Sequence, residues 1–353
     1  MKQRLRCLVG RSSPGPLRRR CADFVASAAA PAHIVCAMTR RSNPTRTSQR
    51  VAALQAYTDR HVTDGREFRC PREATCRASA TTSSRTGLLL PDVSFYRGQL
   101  SHVGEHYDTV EGDVPWRVLV LGMETGRARE FVTLNQRRDE QQPVVELDPT
   151  SRKPHMKGTA SALRLAFGGR PGLDHAGEEL AFVNVSEPVH VMNAYALANV
   201  RLCSAVTTGT TSSRGSARMT ENCWPHLEAT VRILEPTLCI LQSGPARRQL
   251  NGIIHEVETI TEHLEHVTIA GVRLYLASFV HPYQQGNNSH LNWGRSTSTP
   301  YLDDVVTPTI ELARKLALTP PGGGVGPTRL VAASNAGLGA DDKADGAAAV
   351  VDN

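Results

Sequence analysis

The sequence predicts an α/β fold: a single three-layer domain with a mainly parallel central sheet flanked by helices. Three observations lead there. Short apolar runs of strand length alternate with segments of helical period between residues 48 and 318 of the 353-residue chain. Each apolar run ends in Gly, Asn, Ser or His, as strands do where they enter loops. The stretch is about 270 residues long, the size of one large domain.

Taken in order, residues 48 onward open with a helical lead-in. Arg117–Gly122 is a β-branched apolar run ending in glycine, a buried strand. Gly158 to Phe167 follows with Ala162, Leu165 and Ala166 at helical spacing. Val189–Met192 is expected as the second strand, ending at Asn193. Thr220 is expected to cap a helix that carries Leu227, Val231 and Leu234 on one face and stops at Pro236. Thr237–Gln242 is a third strand leading to Ser243 and Gly244, and Ala246 to Ile254 the next helix. Val272–Val280 is a fourth strand running into His281 and Pro282, and Leu302–Leu316 a last helix.

Both ends look unlike this body. Residues 1–47 are expected to be a disordered basic extension, and residues 319–353 a disordered tail rich in Gly, Ala and Asp. The charge is uneven. The whole chain is formally +6, but residues 1–50 hold eleven of the 40 Lys and Arg and only one of the 34 acids. The body is therefore near neutral, and overall basicity does not identify a nucleic-acid partner. No run reaches the roughly eighteen apolar residues of a membrane span. The expectation is a soluble monomer of the cytoplasm, with organellar targeting by the Arg- and Ser-rich residues 1–47 as the open alternative.

In parallel sheets, ligands bind at the carboxyl ends of strands. Gly122-Met123-Glu124-Thr125-Gly126 sits at the first such end, a tight loop with one carboxylate. His281 follows the fourth strand and is fixed by Pro282. Of eight cysteines, three lie before residue 48, and Cys239 reads as a small apolar residue inside a strand. The remaining pairs, Cys70 with Cys76 and Cys203 with Cys223, are two local pairs that one metal or cluster could bring together. Disulfides and four unrelated thiols are the alternatives.

The order of these elements resembles the uracil-DNA glycosylase superfamily, and within it the iron-sulfur branches called families 4 and 5. Those enzymes carry a Cys pair, then a strand ending in a motif such as GEAPG, then a Pro-Phe segment opening a helix. A strand ending near Asn with Cys soon after comes next, then a helix with C-x-x-L, a strand after Pro ending in Gly, and an HPS motif. The corresponding run here is Cys70 and Cys76, Gly122–Gly126, Lys153-Pro154-His155, Asn193 or Asn199, and Cys203. Cys223–Leu227, Pro236–Gly244 and His281–Tyr283 complete it. GMETG stands for GEAPG, HPY for HPS and Pro-His for Pro-Phe, and the segments 127–152 and 199–220 are enlarged.

The resemblance implies a DNA repair glycosylase of uracil-DNA glycosylase-like fold that flips uracil or a related deaminated base from DNA and hydrolyses its N-glycosidic bond. It implies catalytic roles for Glu124 and His281, and base binding by Gly122, Met123, His155 and Asn193 or Asn199, with Asn193 favoured. Leu291 would be the wedge filling the vacated stack. Cys70, Cys76, Cys203 and Cys223 would hold a [4Fe-4S] cluster, with zinc or no metal as alternatives. The partner would be DNA with a flipped damaged base, in a nucleoid-associated protein. A non-catalytic nucleic-acid binder on the same fold is the alternative function.

Overall fold

The computed structural model describes residues 39–64, 67–83, 85–124, 131–210, 213, 215–283 and 286–319. Its centre is a seven-stranded sheet. In chain order the strands are β1 (His102–Val103), β2 (Val118–Gly122), β3 (Tyr195–Asn199), β4 (Leu238–Leu241), β5 (Ile254–Thr261), β6 (Leu264–Ile269) and β7 (Val272–Ser278). Across the sheet they run β5-β6-β7-β4-β2-β3-β1. The four strands β7, β4, β2 and β3 are parallel to one another. The edges are antiparallel: β1 on β3 at one side, and the β5-β6-β7 meander at the other.

The central parallel strands β2 and β4 are apolar from Val118 to Leu121 and from Leu238 to Leu241 because both faces are covered. Leu119, Leu121, Cys239 and Leu241 point into a core shared with Leu227, Val231 and Leu234 of helix Ala217–Leu234. Val118, Val120, Leu238 and Ile240 point the other way, against Leu163 and Ala166 of helix Pro154–Ala166 and Ile310 and Ala313 of helix Thr307–Leu318. The period-two alternation of β2 and β4 thus builds two cores from one strand pair, and the mixed three-layer α/β class follows. In chain order the helices are α1 (Pro44–His61), α2 (Glu73–Thr81), α3 (Leu134–Glu146), α4 (Pro154–Ala166), α5 (Ala217–Leu234), α6 (Gly244–Gln249) and α7 (Thr307–Leu318).

Topology decides where a ligand can enter. The β2 to β3 connection crosses one face through α4, and the β3 to β4 connection crosses the other through α5, so β3 and β4 flank β2 on opposite sides. The chain therefore reverses its direction across the sheet at β2. Connections diverging from such a strand leave a crevice at its carboxyl end, which here is Gly122.

Several expectations are corrected. Val189 and His190 form only a two-residue strand paired with Glu179 and Leu180, and Val191–Asn193 is a 3₁₀ turn. The second parallel strand is instead Tyr195–Asn199, whose weaker apolar run is buried by its position inside the sheet. Ser216, not Thr220, caps α5 by accepting the Met219 amide. The helix after β4 ends at Gln249, and the β5-β6 hairpin takes the following residues. The folded body also begins earlier than residue 48. Arg40–Ser42 pairs with Thr109–Glu111, Asn43 caps α1, and Arg40 binds Glu111 at 3.0 Å. Residues 1–38 and 320–353 lie outside the described residues. No described helix is long and apolar enough to cross a membrane.

Candidate active site

At the carboxyl ends of the parallel strands lies a cavity of about 340 Å³ lined by Gly122, Met123, Glu124, Arg137, Gln141, His155, Met156, Leu197, Asn199, Ser243 and His281. Six residues expected from the sequence meet there: Gly122, Met123, Glu124, His155, Asn199 and His281. Thr125 and Gly126 of the same loop lie outside the described residues.

Glu124 ends the described part of that loop and is almost wholly buried. Its carboxylate meets the Arg201 guanidinium at 2.6 Å, with side-chain exposures of 6% and 5%. Burial pushes the Glu124 carboxyl above its ordinary value although Arg201 pulls it down. Burial likewise lowers Arg201, opposed by Glu124 and by Cys223. Arg201 reaches this place because the chain beyond β3 continues to pair with the loop beyond β2: Val200 N donates to Gly122 O at 2.8 Å and Arg201 N to Met123 O at 2.9 Å.

Asn199 is the last residue of β3 and lies opposite Gly122 in register. A Cβ at residue 122 would sit 3.0 Å from Asn199 Oδ1, so glycine there leaves room for the amide. Asn193 is at the other end of the same strand, where its carbonyl accepts the His106 amide at 2.8 Å. It does not reach the cavity. The preference for Asn193 fails because the strand lies later in the chain than its neighbouring β-branched residues suggest.

His281 follows β7 and keeps an exposed edge, with its ring parallel to that of His155 (centroids 5.0 Å apart, 7° between planes). Its Nδ1 lies 3.1 Å from the Tyr283 amide and 3.0 Å from the Tyr283 carbonyl. When Nδ1 accepts the amide, the proton sits on Nε2 and becomes a donor. Burial lowers the His281 pKa, opposed by the Tyr283 carbonyl. His155 stands in the first turn of α4. Its Nε2 donates to Gln242 Oε1 at 3.1 Å, and Gln242 Nε2 donates to Thr159 at 3.1 Å. Burial, with the His281 and Arg137 charges nearby, lowers the His155 pKa to about 4. Thus one ring face of His155, expected to bind the base, is already covered by His281.

The His281 loop is held by close packing. A Cβ on Gly158 of α4 would lie 2.6 Å from Pro282, so the glycine lets the helix carrying His155 meet the turn carrying His281. The buried Trp293 donates its indole N–H to Val280 O at 2.9 Å, and Gly294 N donates to Pro282 O at 2.9 Å. Leu291 ends the 3₁₀ turn Gly286–Leu291, half-buried and outside the cavity lining.

Four lining or supporting residues escaped the sequence reading. Arg137 and Gln141 come from α3, which begins at a capping box of Thr133 and Gln136. They are four residues apart and so share a helix face. Gln242 could have been suspected as the first polar residue after a wholly apolar strand, and Arg201 from its place midway between Asn199 and Cys203.

The four cysteines form a second constellation beside the cavity. Cys76, Cys203 and Cys223 are buried and Cys70 partly so, and none is in a disulfide. Two of the sulfurs accept hydrogen bonds, Cys76 from Asn222 Nδ2 at 3.2 Å and Cys223 from the Leu202 amide at 3.5 Å, and the Arg72 and Gly98 amides oppose the effect of burial on the Cys70 and Cys203 thiols. Burial pushes all four thiols up, and Cys203 feels the charges of Cys223, Cys76 and Cys70. His226 Nε2 lies 3.9 Å from Cys70 Sγ. Among the described residues, no three His, Cys, Asp or Glu side chains are grouped to hold a single metal ion.

No protein-family model matches the chain, and no curated protein matches it.

Proposed function

We propose that the protein is a DNA glycosylase that takes a flipped uracil, or a related deaminated base, into the cavity at the end of β2 and hydrolyses its N-glycosidic bond. The observation that carries this reading is the convergence of Glu124, Asn199 and His281, from three separate strand ends, on one cavity at the crevice of the sheet. Its volume is at the small end of ligand pockets, roughly 300–1,000 Å³, which suits a base with its sugar.

Each group has a chemical task in that reaction. The base leaves with the bonding electron pair while the sugar becomes cationic. His281, neutral near neutral pH, donates Nε2–H to a base oxygen where negative charge grows. Its orientation is kept by Tyr283 and by the His155 ring, which Gln242 fixes in turn. Glu124 faces the sugar, stabilising its positive charge or receiving a proton from the attacking water. Arg201 keeps that carboxylate aimed. The Asn199 amide reads the edge of the base, with both a donor and an acceptor.

Cys70, Cys76, Cys203 and Cys223 would hold a [4Fe-4S] cluster. The N–H donors on Cys76 and Cys223, with the Arg72 and Gly98 amides beside Cys70 and Cys203, support this, because such groups stabilise cluster thiolates. When bound, the cluster would tie α2, α5 and the loop after β3 together.

The test is base release from a uracil-containing oligonucleotide by the full-length protein purified without oxygen, scored by alkaline cleavage at the abasic site. Free uracil is expected. Release of none of uracil, hypoxanthine or xanthine refutes the reading, and DNA binding retained under those conditions would point to a non-catalytic binder.

A further inference from the structure

We propose that Asn222 and His226 of α5 are an oriented pair of N–H donors to the Cys76 and Cys70 thiolates, and that they set how firmly, and at what potential, the four cysteines hold their cluster. This rests on the cluster reading above and adds to it residues outside the cysteine motifs.

Helix α5 brings Cys223 to the constellation. His226 lies one helical turn after Cys223 and Asn222, so the three side chains share one flank of the helix. Asn222 Nδ2 donates to Cys76 Sγ at 3.2 Å, and its Oδ1 accepts from Arg72 Nη1 at 3.1 Å. The second bond fixes which end of the amide faces the sulfur. His226 Nε2 lies 3.9 Å from Cys70 Sγ, and its Nδ1 lies 3.0 Å from the Tyr57 hydroxyl. A sulfur bound to iron has no proton and only accepts, so the ring nitrogen facing it must carry the hydrogen. In a neutral imidazole Nδ1 is then the acceptor, and the Tyr57 hydroxyl donates to it. The same hydroxyl reaches the Pro225 carbonyl at 3.1 Å. Its single hydrogen thus has two acceptors on α5, and a metal-bound Cys70 selects His226.

Each donor is therefore held by a residue of another element, Arg72 just before α2 and Tyr57 on α1. Cys70 is the partly exposed member of the four, the others being buried, and oxidative damage to a thiolate follows its exposure. His226 stands at that open corner. Burial pushes the Cys70 and Cys76 thiols up, and Arg72 opposes this at each sulfur, as Asn222 does at Cys76. Hydrogen bonds to cluster sulfurs favour the more reduced, more negative state.

The test compares the full-length protein, purified without oxygen and loaded with iron and sulfide, with His226→Phe, His226→Gln, Asn222→Leu and Tyr57→Phe. Visible absorption is followed during challenge with an iron chelator, and the midpoint potential is read by titration with dithionite. His226→Phe and Asn222→Leu are expected to lose iron roughly 10- to 100-fold faster than the wild type and to become harder to reduce. His226→Gln, which keeps an N–H donor, recovers part of both losses, and Tyr57→Phe falls between the wild type and His226→Phe. Thermal melting of the iron-free proteins monitors folding. If His226→Phe binds no iron, Tyr57→Phe, which keeps the imidazole, carries the comparison, and wild-type values there overturn the proposal. An unchanged rate and potential in His226→Phe or in Asn222→Leu overturns the donor pair, as does a His226→Gln variant no better than His226→Phe. If the wild type itself binds no iron, the cluster reading falls and this inference with it, a result distinct from unchanged variants.

Discussion

Replacing Arg201 by Met removes the cation from a pair in which both partners are nearly inaccessible to water. Glu124 is then a buried carboxylate with nothing to balance it. Removing one partner of a buried pair typically costs about 3–5 kcal/mol, but here the carboxyl has an escape, which is to take up a proton. From the ordinary glutamate value of 4.5, protonation at pH 7 costs about 3.4 kcal/mol, so the pH-dependent part of the penalty stops there. Its sign is fixed. Without Arg201 the folded-state pKa of Glu124 rises further above the unfolded value, so the fold binds this proton more tightly. The associated stability is fully present below the unfolded value and is lost as pH rises through the folded one. Urea unfolding of wild type and Arg201→Met across pH 4.5 to 8 is therefore expected to show a gap that is smallest at acid pH. The gap should widen by up to about 1.4 kcal/mol per pH unit. Any part that does not change with pH reports lost packing of the guanidinium against Gly215. Adding Glu124→Gln removes the stranded charge and should erase the pH-dependent part. A gap that ignores pH, or a double variant no better than the single one at pH 7, refutes the buried pair.

Gly122→Ala places a Cβ 3.0 Å from Asn199 Oδ1. It should slow base release roughly tenfold by displacing the amide a few tenths of an ångström, with an unchanged urea midpoint. His102 and His155 are both lowered to about 4 by burial. Their neutral forms are favoured in the fold, so the stability they provide is full above the ordinary histidine value of 6.5 and is lost as pH falls toward 4. Two protons taken up almost wholly on unfolding predict a slope near pH 5 of about 2.4 kcal/mol per pH unit, measurable by denaturant titration. Cys76→Ser or Cys223→Ser should lower bound iron and the broad absorption near ~400 nm. Cys239→Ser, inside β4 and away from the other four, should leave both unchanged.

The parallel centre of the fold was legible because its strands are buried on both faces. Such strands carry few polar side chains, and β2, β4 and the Leu274–Ala277 part of β7 stood out for that reason. Tyr195–Asn199 also lies inside the sheet, yet its alanines give it little apolar weight in sequence. The more β-branched Val189–Met192, just before it, drew the assignment. The β5-β6 hairpin was missed on the same physical grounds: β5 is an edge strand, exposed along most of its length. Its sequence therefore lacks an apolar run. Site residues at strand ends were legible, since a polar residue closing an apolar run marks the place where chain meets ligand. Arg137 and Gln141 were not, because a helix that roofs a cavity from outside the sheet shows only an ordinary amphipathic pattern.

What ties the two constellations together is a segment of five residues. Asn199 closes β3 and faces the cavity, Arg201 holds the cavity's carboxylate, and Cys203 belongs to the group of four thiols. Backbone hydrogen bonds from Val200 and Arg201 to Gly122 and Met123 lock this segment to the Glu124 loop. Arg201 also feels the charge of Cys223, so the side chain that aims Glu124 lies within electrostatic reach of a cysteine. A group bound by the four thiols need not touch substrate to matter for base release. By fixing Cys203 it fixes the segment, and by adding charge near Arg201 it alters how strongly that guanidinium is drawn from Glu124. Loss of such a group should thus reach the cavity first as a misplaced carboxylate and only later as a loosened fold.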